Sequence, residues 1–477
     1  MSKIAKESYD AVVIGAGPNG LAAAIVLAQA GRSVLILEAK LTVGGGTRSM
    51  ELTLPGFVHD VCSAIHPLGL GSPFFRTLPL EKYGLEWIEP PAALAHPLDD
   101  GRAVILYRSI QQSANTMGWD AKAYSRLMQP LVQDWETKLA EDVLAPIPGH
   151  FPRHPFSLAR FGLSAILPAQ LLADWRFKDE AAKAVIAGLA AHSMLQLSQP
   201  LSAAAGILLG TLAHAVGWPL PKGGSQNIAE ALAAYFRDLG GEIVTDYEVK
   251  TWADLPPARD FIFDLTPRQL LKIAGEHLPP LYRQRLRRYR YGPGIFKLDL
   301  ALDGPIPWQA PEVGQAGTVH LGGTLAEIAL SERAVALGQL PEKPYVLLAQ
   351  PSLFDGRRAP ADKHTVWAYC HVPAGSTFDM SERILNQLER FAPGVRERIL
   401  ASHKMNSAQI ESYNPNYIGG DINGGVQDLG QQFGRPVLSL NPYKTGNSHI
   451  FICSSSTPPG GGVHGMCGYY AAQAVLQ

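Results

Sequence analysis

Charge is scarce in this 477-residue chain: 17% of residues are Asp, Glu, Lys or Arg, below the ~25% usual for globular domains. Lys plus Arg number 41 and Asp plus Glu 42, a formal net charge of −1. No global field therefore draws the chain to nucleic acid. Cysteine is scarce as well. Cys62, Cys370, Cys453 and Cys467 form no C-x-x-C pair, which argues against a disulfide framework or a zinc site. The 14 histidines are scattered without ligand spacing, and no metal is expected. The first strand begins by Tyr9, leaving no room for a signal peptide, so a reducing cytoplasm is the expected location. There is no internal repeat, coiled coil or low-complexity tail. Together with 46% hydrophobic residues, the low charge implies extensive apolar lining: a buried substrate tunnel, a membrane-facing patch or a large oligomer interface.

What is present is concentrated in residues 9–48. Tyr9 to Ile14 (YDAVVI) is a short run of apolar, mostly β-branched residues, read as a buried strand. Gly15-Ala16-Gly17-Pro18-Asn19-Gly20 follows as G-x-G-x-x-G, then an alanine-rich helix, a second strand from Arg32 to Leu37, and Glu38. These pieces form a βαβ dinucleotide unit. Gly15 permits the turn, Gly17 lets the backbone approach a pyrophosphate, and Gly20 lets the helix pack against the strand. Pro18 and Asn19 open a helix whose free N–H groups and dipole face the phosphates. Glu38 suits ribose hydroxyls and repels a 2′-phosphate, which disfavours NADP.

A few residues on, Gly45-Gly46-Thr47-Arg48 follows Glu38 and Ala39. A glycine cluster with an arginine suits a backbone-plus-guanidinium clamp on the same pyrophosphate. Here the chain resembles the FAD-dependent amine oxidase and phytoene desaturase superfamily, in which a GG-x-R-[ST] element follows the acid of the second strand. A P-K-G-G block at Pro221–Gly224 and the strands after it resemble the point where such flavoproteins re-enter the FAD domain. In that superfamily a valine after the strand holds the adenine through its backbone, and Val249 is the match. Near the C-terminus, Ser454-Ser455-Ser456-Thr457-Pro458-Pro459-Gly460-Gly461-Gly462-Val463-His464-Gly465 precedes a final helix. This second strand–glycine–helix corner would present N–H groups to an anion, naturally the N1–C2=O2 edge of a flavin. The stretch is similar to the C-terminal signature of phytoene dehydrogenase-like oxidoreductases, including the pyridine nucleotide-disulfide oxidoreductase domain-containing protein 2 branch.

Many superfamily members carry an acid after the last strand to hold the ribityl chain. Serines stand there in this sequence, leaving Ser455 or Ser456 as substitutes. The pattern around Cys467 differs from that of covalent flavin cysteines, so FAD is expected to be non-covalent.

The resemblance implies an α/β fold: a Rossmann-type FAD-binding domain built from separated segments (1–75, 219–292 and 431–477), with an inserted α+β substrate domain of apolar helices (76–218) and an antiparallel sheet (293–430). Glu248 to Trp252 is expected as a strand, Gly394 to Ser402 as a helix. Leu189 to Pro221 contains no Asp, Glu, Lys or Arg. Within it, Ser202 to Trp218 is read first as helices around an apolar substrate pocket, with Leu208, Leu212, His214 and Trp218 as lining, and second as a peripheral membrane contact. It is too short and too rich in glycine, serine and histidine for a transmembrane span. His214 reads equally as a satisfied core histidine, and His59, Asp60 and His66 as loop residues bonded to backbone.

The implied chemistry is hydride removal from a carbon of an apolar small molecule to the flavin. By analogy with amine oxidases, Lys297 in the strand GIFKLDLAL is the catalytic candidate; alternation places Asp299 on the same face, so a solvent-side ion pair is the competing reading. Tyr413 and Tyr417 are candidates for the flavin's substrate side. Three other functions stay open: an oxygen-using oxidase of amines or alcohols, a redox-neutral FAD isomerase, and a flavin-free escort of lipidated proteins. Intact Gly15, Gly17, Gly20, Glu38 and Arg48 argue against the last. Substrate, electron acceptor and oligomeric state are not legible.

Overall fold

The computed structural model describes residues 6–477. Its first layer is a five-stranded parallel sheet in the order Ile450–Ile452, Ala258–Phe263, Tyr9–Ile14, Val34–Leu37, Glu242–Val244. Val12 stands beside both Leu35 and Phe261, so the central strand is buried on both faces, as its unbroken apolar run requires. The helix Pro18–Gln29 packs on one face with the last helix, Met466–Leu476. Gly468 is the contact point: a Cβ there would collide with the carbonyl of Asn19. Because all five strands run the same way, their carboxyl ends bring Gly15, Glu38, Asp264 and Ser454 to one edge, where ligands of open α/β sheets bind.

The second layer is a seven-stranded sheet ordered Ile399–Met405, Gly294–Leu302, His364–Val372, Val346–Ala349, Ala316–Leu321, Ala92–Pro97, Ala103–Leu106. Alternation divides the strand His364–Val372. Val366, Ala368 and Cys370 join a core with Ile384 and Leu388 of the helix Ser381–Phe391. Trp367 and Tyr369 face the larger core that continues into the parallel-sheet domain.

Three local expectations are corrected. The antiparallel sheet is not confined to the later segment, because Ala92–Pro97 and Ala103–Leu106 join it and Ala92–Pro97 runs parallel to Ala316–Leu321. Glu248 to Trp252 is not a strand: Asp246 takes φ 55°, and Thr251 and Asp254 close a capping box around a single 3₁₀ turn. Gly394 to Ser402 is not a helix either. After one turn at Arg396–Arg398, Ile399–Met405 pairs antiparallel with Gly294–Leu302 as an edge strand.

Among the described residues no single helix is long and apolar enough to cross a membrane. The uncharged helix Ser202–Ala215 packs against the helices Glu180–Ala191, Pro155–Ala165 and Ala121–Asp134 inside the main core.

Candidate active site

The carboxyl edge of the parallel sheet opens into a cleft of about 1100 Å³, part of it open to solvent. Gly15, Gly17, Pro18, Asn19, Glu38, Ala39, Gly45, Gly46 and Arg48 all line it. Val249, Asp264, Tyr417 and Ser455 complete it. The glycines are required sterically. Gly15 has φ 105°, a conformation closed to ordinary side chains, and a Cβ at Gly20 would strike the Gly15 carbonyl oxygen. A Cβ at Gly45 would stand 3.0 Å from the Cα of Gly17, so the two glycine loops nearly touch.

Glu38 is 6% exposed. Its Oε2 accepts from the N–H of Ala16 at 2.8 Å and its Oε1 from that of Lys40 at 2.9 Å. Arg48 Nη2 donates to Glu38 Oε1 at 3.0 Å and to the Thr42 carbonyl at 2.9 Å. The guanidinium expected on a pyrophosphate thus lines the cleft while holding Glu38. Thr47 is buried within its own turn, its hydroxyl on the Gly44 carbonyl at 2.8 Å.

Asp264 was not singled out from the sequence, although an acid directly after the buried FIF strand was a signal. It accepts from the Gly20 N–H at 3.0 Å, and a Cβ at Gly17 would lie 2.6 Å from its Oδ2. Burial, opposed by the N–H bonds of Gly20 and Gly17 and reinforced by the nearby Glu38 charge, raises this carboxyl well above its ordinary range.

The serine–glycine corner divides. Ser455 reaches the cleft, whereas Ser456 is buried with its hydroxyl on the Gly424 carbonyl at 2.8 Å. Gly462, Val463 and His464 are not part of the cleft wall but pack on the loop 66–72. The His464 carbonyl accepts from Ser72 Oγ at 2.6 Å, and its Nδ1 accepts from the Met466 N–H at 3.0 Å. Burial lowers the His464 imidazole to about 4, so it is neutral.

Lys297 and Asp299 are both fully buried and paired with one another, which corrects the solvent-side alternative. Lys297 Nζ lies 5.9 Å from the Trp367 ring, and Trp367 Nε1 donates to the Cys62 carbonyl at 2.8 Å. His59 and His403 approach Asp299 at 3.7 and 3.5 Å; burial lowers His59 to about 4. The pair therefore sits on the sheet face turned toward the parallel-sheet domain, beside the segment that leaves Arg48. Tyr417 links the two regions. Its hydroxyl abuts Gly46 and faces the Cys62 thiol, which burial raises.

Other expected lining residues belong to the core. Leu212 is fully buried; His214 bonds to Tyr124 OH at 2.6 Å through Nε2 and to the Arg108 carbonyl at 3.2 Å through Nδ1. Trp218 donates to Thr318 Oγ1 at 2.8 Å. Leu208 alone of the four is half-buried. Tyr413 does not line the cleft: Lys40 Nζ stands over its ring at 5.8 Å and Arg48 is near its hydroxyl. Asp60 is a structural tie: it holds Arg358 at 2.9 Å and accepts from Ser225 N–H at 2.8 Å.

Residues 13–77 match the NAD(P)-binding Rossmann-like domain family. Over 99% of this chain and 94% of its relative, the sequence is 26% identical to pyridine nucleotide-disulfide oxidoreductase domain-containing protein 2 of Mus musculus. Among solved structures, cyclohexylamine oxidase of Brevibacterium oxydans superposes with TM-score 0.60 at 16% identity, covering 98% of both chains. The chain has the amine-oxidase fold. An oxidoreductase of Methanosarcina mazei shares the same architecture at TM-score 0.66 and 17% identity, covering 98% of this chain and 99% of that one. In this fold the parallel sheet supplies the cleft and the seven-stranded sheet carries the Lys297–Asp299 face.

Proposed function

We propose that the cleft binds FAD non-covalently and that the chain is a dehydrogenase of an apolar small molecule. The observation that carries this reading is that one cleft gathers the Gly15–Gly20 turn, Glu38, Val249, Gly45, Gly46 and Arg48 with Tyr417 and Ser455. Two features fit a dinucleotide. Asn19 Oδ1 is buried without a protein partner, and the N–H of Val249 makes no hydrogen bond among the described residues. Each is a group that a bound phosphate–ribose or adenine would satisfy. Burial pushes the Cys467 thiol up to about 11, leaving little thiolate for a covalent flavin link.

When bound, the flavin supplies the hydride acceptor; the chain supplies position and charge. Glu38 would hold the ribose and the two glycine loops the pyrophosphate, and Tyr417 stands beside Gly46. Lys297, paired with Asp299 on the face with Trp367 and Tyr369, is our candidate for relaying the proton that accompanies hydride loss. Trp367 and Tyr369 on that face would suit an apolar substrate.

An oxygen-using oxidase is the second reading, favoured by the structural likeness to cyclohexylamine oxidase. Anaerobic reduction followed by air separates the two. The dehydrogenase reading requires slow reoxidation by oxygen and fast reoxidation by a quinone dye. Rapid reoxidation in air would replace it with the oxidase reading.

A further inference from the structure

The greasy surface of this chain is not where its least charged sequence lies. Leu189 to Pro221 is mostly core, whereas the helices Pro155–Ala165 and Ala169–Arg176 expose large apolar side chains. On the first helix Phe156 is 89% exposed and Leu163 73%. They lie seven residues apart, on one face. Phe161, Ser164 and Ala165 take the inward face. On the second helix, Leu171 and Trp175, four residues apart, are 54% and 67% exposed. Phe151, in the loop before the first helix, is 87% exposed. Amphipathicity is inverted relative to a helix that shows water its polar side. Singly exposed apolar residues are common, but five on two successive helices and the loop before them mark an interaction site.

The charge around this face selects the partner. Between residues 147 and 180 stand Arg153, Arg160, Arg176 and Lys178, against Asp174, Asp179 and Glu180, of which Asp174 and Glu180 pair with Lys183. Arg153 and Arg160 lean on Glu141 and Asp134. Arg176 and Lys178 form no ion pair among the described residues, and Arg176 lies 4.4 Å above the Trp175 ring. A basic rim around aromatic and aliphatic side chains is the pattern of an interfacial helix on anionic lipid. A second copy of this chain would set the same basic rim against itself in a two-fold contact. The helices meet at 96°, so they form no continuous span.

We propose that the bent helix pair Pro155–Ala165 and Ala169–Arg176 docks this chain on an anionic lipid surface. This goes beyond the cofactor reading and does not depend on it. The test is flotation of the full chain with vesicles of phosphatidylcholine alone or mixed with phosphatidylglycerol, with sedimentation velocity alongside. The chain should float with the mixed vesicles and much less with the neutral ones. The triple variant Phe156→Ser, Leu163→Ser, Trp175→Ser should lose at least about tenfold in partitioning while keeping its melting temperature, since the three side chains are exposed. Arg176→Gln and Lys178→Gln should each lose about fivefold, on the mixed vesicles only. The proposal is overturned if the wild type floats with neither vesicle, if the triple variant floats equally well, or if a dimer dissociates on these substitutions without any vesicle binding.

Discussion

Arg48 and Glu38, which the sequence assigns to the pyrophosphate and the ribose of one cofactor, are bonded to each other at 3.0 Å and both nearly buried. The arginine is therefore a structural element before any ligand arrives. Removing it leaves a buried carboxylate with two N–H donors and no counter-charge, a loss of about 3–5 kcal/mol by comparison with other broken buried pairs. Arg48→Ala should lower apo-protein stability in urea unfolding by that order, and Arg48→Ala with Glu38→Gln should recover much of it. Equal stability of Arg48→Ala and wild type would mean that the pair does not hold the loop.

Asp264 predicts a pH dependence. Its folded carboxyl holds its proton above the ordinary value of 3.8. Between that value and the raised one, the folded state binds more protons than the unfolded state, so stability falls as pH rises through this window. The neutral acid also tolerates a neighbouring pyrophosphate, and the ionised form repels it. FAD affinity of the wild type should fall by up to about tenfold per pH unit above the raised value. Asp264→Asn should bind with a flat profile. Fluorescence titration of the apo protein across pH decides this; parallel profiles for the two proteins would remove Asp264 from the phosphate site.

Lys297 and Asp299 form a buried pair, so structural and chemical roles must be separated. Lys297→Met alone should cost about 3–5 kcal/mol by stranding Asp299. Lys297→Met with Asp299→Leu should restore folding and cofactor content, while the rate of anaerobic cofactor reduction by substrate stays down by about a hundredfold. Full recovery of that rate in the double variant would show the pair to be packing only.

Leu208 and Leu212 share one helix but not one environment: Leu208 is half-buried, while Leu212 is fully buried and tight against Gly71. Leu212→Asp should lose several kcal/mol and fail to fold, because the new charge has no partner. Leu208→Asp should cost about 1 kcal/mol and keep its cofactor. Thermal melts of both variants test the contrast, and equal losses would contradict it.

The nucleotide-binding half was legible because its steric demands are local. Gly15 needs its left-handed turn, Gly20 needs its missing Cβ, and the two buried strands read as apolar runs. The substrate half was less legible, because its meaning lies in long-range pairing. Ala92–Pro97, framed by prolines, becomes a strand only by joining Ala316–Leu321. Ile399–Met405 carries four polar or small residues that suit an edge strand rather than the expected helix. The apolar run Ser202 to Trp218 could not by itself say whether it lines a tunnel or fills a core; its partners Tyr124 and Thr318 lie far away in sequence. Asp264 was passed over because the cleft it closes is assembled from residues more than 240 positions apart.

The most direct test is to purify the full chain and titrate the apo form with FAD and, separately, with NAD. The account predicts a yellow protein with the two visible bands of oxidised flavin, stoichiometric FAD released on denaturation, and no comparable NAD binding. A colourless chain that takes up no FAD, or one that binds NAD in its place, would contradict it.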